Sequence, residues 1–172
     1  MADRNPFSHL DEAGTAHMVD VSEKPVTRRV AEASCRVRLS ADTVARLSDL
    51  PKGDAIAVAR LAGIQGAKAA STLVPLAHPL PIDQVEVEIA RDTLGVAIKS
   101  RVVVTARTGA EMEALAACAA AALALYDMVK AVERGAVITD LRLESKSGGR
   151  SGDWKHGNGG GAPQAPFGAA RP

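Results

Sequence analysis

Ala114–Tyr126 is a run of 13 residues without a charge, and eight of them are Ala. Such a run favours a helix, yet its side chains are too small to fill a wide gap, so whatever packs on it must approach closely. The chain as a whole agrees: it is 47% apolar but only 2% aromatic, which calls for a core of small and aliphatic side chains and favours extensive subunit contacts. The run is too short and too rich in Ala for a membrane span of about 20 residues. Charge-bearing flanks extend it into one long predicted helix, "RTGAEMEALAACAAAALALYDMVKAVERGA", with Gly135 as its C-cap.

Other segments have a period of two. Ala33, Cys35, Val37 and Leu39 alternate with Ser34, Arg36 and Arg38, which predicts a half-buried strand. Val85, Val87 and Ile89 alternate with Glu86 and Glu88, and after a turn near Arg91-Asp92 the alternation resumes from Val96 to Arg107, the pattern of a hairpin. Val137, Leu141 and Leu143 mark a last strand. Between the first strand and the hairpin, Ser40 offers an N-cap for a helix over 41–49, and Gly53-Asp54 starts a second helix to about Leu73. That helix is apolar almost all round, which predicts burial, with Arg60, Gln65 and Lys68 reaching a cavity or a neighbouring subunit. The order β-α-β-β-α-β is that of a ferredoxin-like α+β sandwich, an antiparallel sheet with helices packed on one face. Residues 15–155 are read as a single catalytic domain, 1–14 as a flexible N-terminal segment and 156–172 as a disordered Gly/Pro-rich tail.

A net charge of +1 argues against a surface built to coat nucleic acid or a membrane, so any anion site must be local. The two cysteines, Cys35 and Cys118, have no metal-ligand spacing and read as buried free thiols of a reducing compartment. With no secretory signal in "MADRNPFSHLDEAG", the expected location is the cytoplasm. There is no GxGxxG or GxxxxGK[ST] pattern, which leaves doubly wound nucleotide folds without support.

Polar clusters fall at the ends of the predicted elements, where a rigid scaffold can hold groups in reach of solvent. They are "HMVDVSEK", "PKGD", "PLAHPLP", "GAEMEALAA" with "YDMVKAVE", and "KSGGRSGDW". Pro75, Pro79 and Pro81 stiffen the connection carrying His78. Asp127 and Lys130, three residues apart, are neighbours on one helix face and interrupt an apolar surface. Glu111 and Glu113 suit the positive end of the helix dipole as well as they suit a site. Gly148, Gly149 and Gly152 let backbone amides turn inward beside Lys146 and Arg150, a combination suited to phosphate. Convergence of Lys52, Lys68, Lys130, Lys146 and Arg150 would lower ammonium pKa values and make one lysine usable as an acid or base near neutrality.

These clusters, in this order, resemble the cyclic pyranopterin monophosphate synthase family of molybdenum cofactor biosynthesis (protein C family). The resemblance runs through "HMVDVSEKPVT", "KGD", "ARLAGIQGAK", "LVPLAHPLP", "VEVEI", "RTGAEMEAL", "ALYDMVKAVERG", "VITDLRL" and "KSGGRSGDW", from Leu10 to Trp154. It implies a homohexamer, a trimer of dimers, with active sites at dimer interfaces drawing residues from two subunits. It implies a lyase that converts 3',8-cyclo-7,8-dihydroguanosine 5'-triphosphate to cyclic pyranopterin monophosphate and pyrophosphate with no required cofactor; the triphosphate can itself bring Mg²⁺.

By motif, the resemblance assigns Asp127, Lys130 and Lys52 to catalysis and His78, Glu111, Met112, Glu113, Lys146, Lys68 and Arg29 to substrate binding, with no metal site. This chain departs from the family's usual pattern at Ala77, where Cys is common, at Ala69 and Ala70, where Arg and Thr are common, and at Ala106, where Gly is common. The missing arginine removes one phosphate contact. The alternative is a non-catalytic ferredoxin-like module that binds a nucleotide and regulates a partner, which has no need for Asp127 beside Lys130. An RNA-binding module would need aromatic residues on central strands, and the predicted strands have none.

Overall fold

The computed structural model describes residues 14–150 and 152–157. The segments read from sequence as a flexible N-terminus (1–14) and a tail (156–172) lie almost wholly outside them. The elements run β1 (Thr27–Arg38), α1 (Ala41–Ala45), α2 (Ala55–Lys68), α3 (Ala70–Leu73), β2 (Ile82–Asp92), β3 (Gly95–Ala106), α4 (Glu111–Val129), β4 (Val137–Ser147) and β5 (Trp154–Lys155). The strands form one antiparallel sheet in the order β2-β3-β1-β4-β5. With α2 and α4 packed on one face, this is the ferredoxin-like α+β sandwich that the order of periods predicts.

Alternation separates the two faces of the sheet. Ala31, Ala33, Cys35 and Val37 of β1 and Val96, Ile98, Val102 and Val104 of β3 are buried beneath the helices. The opposite face carries charge: Arg101 bridges Glu32 at 3.6 Å and Glu86 at 3.8 Å, and Arg142 meets Glu144 at 2.8 Å.

The Ala-rich run is read correctly as a demand for close approach. Where α2 crosses α4, a Cβ on Gly66 would lie 2.5 Å from the Ala120 Cβ and 2.6 Å from the Ala116 carbonyl oxygen. Only glycine permits that separation.

Several boundaries differ from the sequence expectation. The helix expected over 41–49 stops at Ala45. The helix expected to reach Leu73 breaks at Ala69, whose φ of −95° and ψ of 3° close α2 before α3 restarts. The hairpin turn lies at 93–94, held by the Asp92 carboxylate accepting from the Leu94 N–H at 2.8 Å. The long helix ends at Val129 and not at Gly135, and in the turn that follows the N–H groups of Val132 and Glu133 both donate to the Val129 carbonyl. The Glu133 carboxylate then ties this turn to the N–H and hydroxyl of Ser40, the N-cap of α1. Nor is α2 largely buried: Leu61 is 68% and Val58 40% exposed, since nothing among the described residues covers the outer side of the helix layer.

α4 also corrects the reading of its length. At 19 residues it is long and apolar enough to cross a membrane, but half of it is buried within the fold, against β1, β3, β4 and α2. It is the core helix.

β4 carries an extra residue at Glu144. The ladder steps from Ala33↔Leu143 to Glu32↔Ser145, a bulge that turns Lys146 to the helix side of the sheet opposite buried Ala31. Strict alternation from Leu143 would have aimed Lys146 at the other face.

Candidate functional site

The first turn of α4 is the floor of a cleft of about 450 Å³ lined by Lys24, Arg29, Arg107, Lys146 and Arg150 together with Glu111 and the backbone of 108–110 and 147–148. The N-cap of α4 is Ala110, which supplies no side-chain acceptor, so the amides at the positive end of the helix dipole add to the positive field. Arg29 reaches this cleft from β1, and its guanidinium is fixed: it donates to the Ala106 carbonyl at 3.1 Å and the Arg107 carbonyl at 3.0 Å. Arg29 therefore also holds the connection that leads into α4.

The far wall is the loop after β4. Gly148 and Gly149 take φ values of 86° and 77°, the left-handed region that glycine enters freely, and a side chain at Gly149 would collide with the Arg29 guanidinium. The Gly148 N–H donates to the Asp153 carboxylate at 3.1 Å, closing the loop. Lys146 lies 3.6 Å from Glu111, placing one cation of the cleft against the first acid of α4.

A second cleft of about 320 Å³ adjoins the first and shares Lys24, Thr108, Gly109 and Glu111 with it. His78, Met112 and Glu113 line it, with Val19 and Val21 from the N-terminal segment. The proline-stiffened loop thus sets His78 beside the start of α4. Glu113 is only 3% exposed. Burial pushes its carboxyl above the ordinary glutamate range, and the neighbouring Glu111 charge pushes the same way.

The other end of α4 carries a separate cluster. The Asp127 carboxylate accepts from Lys130 at 2.6 Å and from Lys52 at 2.9 Å, and Lys52 also donates to the Asp127 carbonyl at 2.9 Å. Lys52 comes from the turn before α2, which the Asp54 carboxylate caps by accepting from the N–H groups of Ile56 and Ala57. The two ammonium groups, Lys130 foremost, hold the Asp127 carboxyl down at about 2. Although Asp127 and Lys130 interrupt an apolar run, within one chain their side chains are 54% and 51% exposed.

The sequence-predicted residues thus fall into two groups. Arg29, His78, Glu111, Met112, Glu113 and Lys146 gather at the N-terminal end of α4, and Lys52, Asp127 and Lys130 at its C-terminal end. Sixteen residues of helix separate Glu111 from Asp127, about 24 Å at 1.5 Å per residue. Lys68 stands exposed in the last turn of α2 and lines neither cleft. Sequence reasoning did not single out Lys24 or Arg107. Arg107 looked like one more outward residue of an alternating strand, and only the end of β3 at Ala106 turns it into the cleft wall.

Among the described residues no group of three or more His, Cys, Asp or Glu is placed to hold a metal ion. Cys35 and Cys118 are free and buried, as expected. The neighbouring Cys118 thiol and burial together raise the Cys35 pKa, which leaves that thiol protonated.

Comparison with known proteins adds an independent line. The profile described as "MoaC family" matches residues 18–149. A Streptomyces griseus protein named cyclic pyranopterin monophosphate synthase is 51% identical over 168 residues, covering 96% of this chain and 93% of the relative. A Cereibacter sphaeroides protein of the same name is 54% identical over 150 residues, covering 85% of this chain and 94% of the relative. A Mycobacterium bovis protein named cyclic pyranopterin monophosphate synthase 2 is 52% identical over 150 residues, covering 86% and 90%.

Proposed function

The chain belongs to the MoaC family, and from that premise we propose that it is a cyclic pyranopterin monophosphate synthase of molybdenum cofactor biosynthesis. It converts 3',8-cyclo-7,8-dihydroguanosine 5'-triphosphate to cyclic pyranopterin monophosphate and pyrophosphate. The observation that carries the reading is the pairing of functions on α4: an anion-holding cleft at one end and a Lys-Asp-Lys cluster at the other. A triphosphate needs the first, and the rearrangement of a purine to a pterin needs the proton transfers of the second.

Phosphate binding falls to Lys146, Arg29 and His78 with the uncapped amides of α4. As the ribose 2' oxygen attacks the α-phosphorus, the bond from that phosphorus to the pyrophosphate oxygen breaks, and these cations take up the charge that leaves with pyrophosphate. Glu111, Met112 and Glu113 shape the adjoining cleft around the substrate. Lys130, held by Asp127, gives and takes protons as the purine-derived ring opens. Lys52, which shares the Asp127 carboxylate, stabilises charge at the same place, and Lys68 adds to the positive field from α2. Mg²⁺ enters only as the companion of the triphosphate, as part of the substrate.

Two half-sites about 24 Å apart on one helix cannot act on one small molecule. In this reading the N-terminal end of α4 in one subunit meets the Lys52, Asp127 and Lys130 cluster of the partner, within a homohexamer built as a trimer of dimers. The exposed Leu61, Val58 and Leu123 on the outer helix layer are apolar surface that such an assembly can cover. The reduced, buried thiols suit a cytoplasmic enzyme.

The deciding experiment incubates the purified protein with the cyclo-triphosphate and assays cyclic pyranopterin monophosphate and pyrophosphate together. Both should appear in equal amounts. Lys130→Ala should lower turnover about 100-fold or more with the oligomer and its circular dichroism unchanged. Near-normal turnover in that variant would remove Lys130 from the mechanism.

A further inference from the structure

The cations of the cleft account for the phosphates and for nothing else. Apart from the His78 imidazole, no aromatic side chain among the described residues lines either cleft, although the ligand proposed above carries a planar pyrimidinone ring fused to its reduced five-membered ring. One aromatic stands beside them. Trp154 is the only tryptophan in the chain, and it is 42% exposed, an unusual place for the bulkiest apolar side chain of a protein with so few aromatics.

Its position is set by the fold. In the β4–β5 ladder Trp154 is the direct partner of Lys146, so the two side chains leave the sheet on the same side with Cβ atoms about 5 Å apart. That side is the helix side, because Lys146 is in turn opposite buried Ala31. From there Lys146 reaches Glu111 in the cleft. The loop joining Lys146 to Trp154 is closed twice, by the Gly148 N–H on the Asp153 carboxylate at 3.1 Å and by the Gly152 N–H on the Gly149 carbonyl at 3.2 Å. Lys146 and Trp154 are therefore held in register as two neighbouring posts, one cationic and one aromatic. His156 meets the indole edge to face, with ring centroids 6.3 Å apart at 63°, which steadies its orientation.

We propose that Trp154 is the stacking platform for the fused ring of the substrate, the contact by which the site selects a purine-derived triphosphate over other polyphosphates. This rests on the function proposed above. A π-face beside a phosphate cleft is the arrangement by which proteins hold a nucleobase without reading its edge. The indole supplies ring recognition, and Lys146, its strand partner, takes the adjacent phosphates.

The test uses the full-length protein, whose fluorescence at tryptophan excitation reports Trp154 alone. The cyclo-triphosphate and GTP should quench it. Inorganic tripolyphosphate should compete with both for the cleft without quenching. Trp154→Ala should weaken nucleotide binding and raise KM about tenfold or more, leave tripolyphosphate affinity unchanged, and change kcat little; Trp154→Phe should recover most of the loss. Equal nucleotide affinity in wild type and the alanine variant overturns the platform, as does an equal loss for tripolyphosphate. So does a change in hydrodynamic mass in the alanine variant, which would make Trp154 a subunit contact. Quenching without product formation in the wild type keeps the platform and overturns the reaction. Product formation with an unchanged KM in Trp154→Ala overturns the platform alone.

Discussion

Asp127 stands between two ammonium groups, and that placement decides which partner can move a proton. Its carboxyl, held at about 2 chiefly by Lys130 and then by Lys52, stays ionised at any working pH. It orients Lys130 at 2.6 Å, and in the proposed mechanism the lysine carries the proton. The folded carboxyl titrates below the value of about 3.9 expected in the unfolded chain, so its contribution to stability is complete above about pH 4 and is lost as pH falls toward 2. A carboxyl-carbon NMR titration should give a midpoint near 2 for Asp127 in the native protein, moving upward in Lys130→Ala, where only Lys52 remains. A native midpoint in the ordinary aspartate range would show that the lysines do not hold it. Glu113 is the opposite case at the other end of the helix, since burial favours its neutral form. The Asp127–Lys130 spacing is legible in the sequence as one helix face. Lys52 joins them only through the resemblance, because it lies 75 residues away and its contact with Asp127 is visible only once the fold brings the turn before α2 under the end of α4.

The crossing of α2 over α4 is where the choice of small residues is most exacting. Gly66→Ala places a Cβ against the backbone and Cβ atoms of α4, where relief requires the helices to separate. The expected cost is about 1–3 kcal/mol, read as a lower urea midpoint with an unchanged slope. Values within a few tenths of the native protein would mean that the helices part freely. At this scale the sequence is informative where periodicity is long and uniform. β1, β2, β3 and the body of α4 are legible because apolar residues recur at a period of two or fill the whole segment. Helix ends are less so. Nothing local distinguishes Ala69, where α2 breaks, from the alanines around it, and the turn after Val129 is tied by Glu133 to Ser40, 93 residues away. The strand β5 has two residues and is defined only by its partner β4, so "KSGGRSGDW" reads as a loop.

At the scale of the molecule, the two charged clusters are separated by the length of α4, and the proposed assembly is what would bring them together across two subunits. Mixing Lys130→Ala and His78→Ala chains, each inactive alone, by joint unfolding and refolding should restore about a quarter of native activity. Half of the random pairs are then mixed, and one of the two sites in each mixed pair is intact. No recovery in mixed oligomers of native size would place the whole site within one chain. The same geometry governs how damage is inherited. With sites shared between subunits as proposed, a cell making equal amounts of intact chain and chain broken at one end of α4 keeps about half of all sites, because each mixed pair keeps one working site. A chain broken at both ends spoils both sites of every pair it joins and leaves about a quarter. In that proposed arrangement a one-ended lesion costs about half of the sites and a two-ended lesion about three quarters, so the length of one helix sets how strongly each kind of lesion shows.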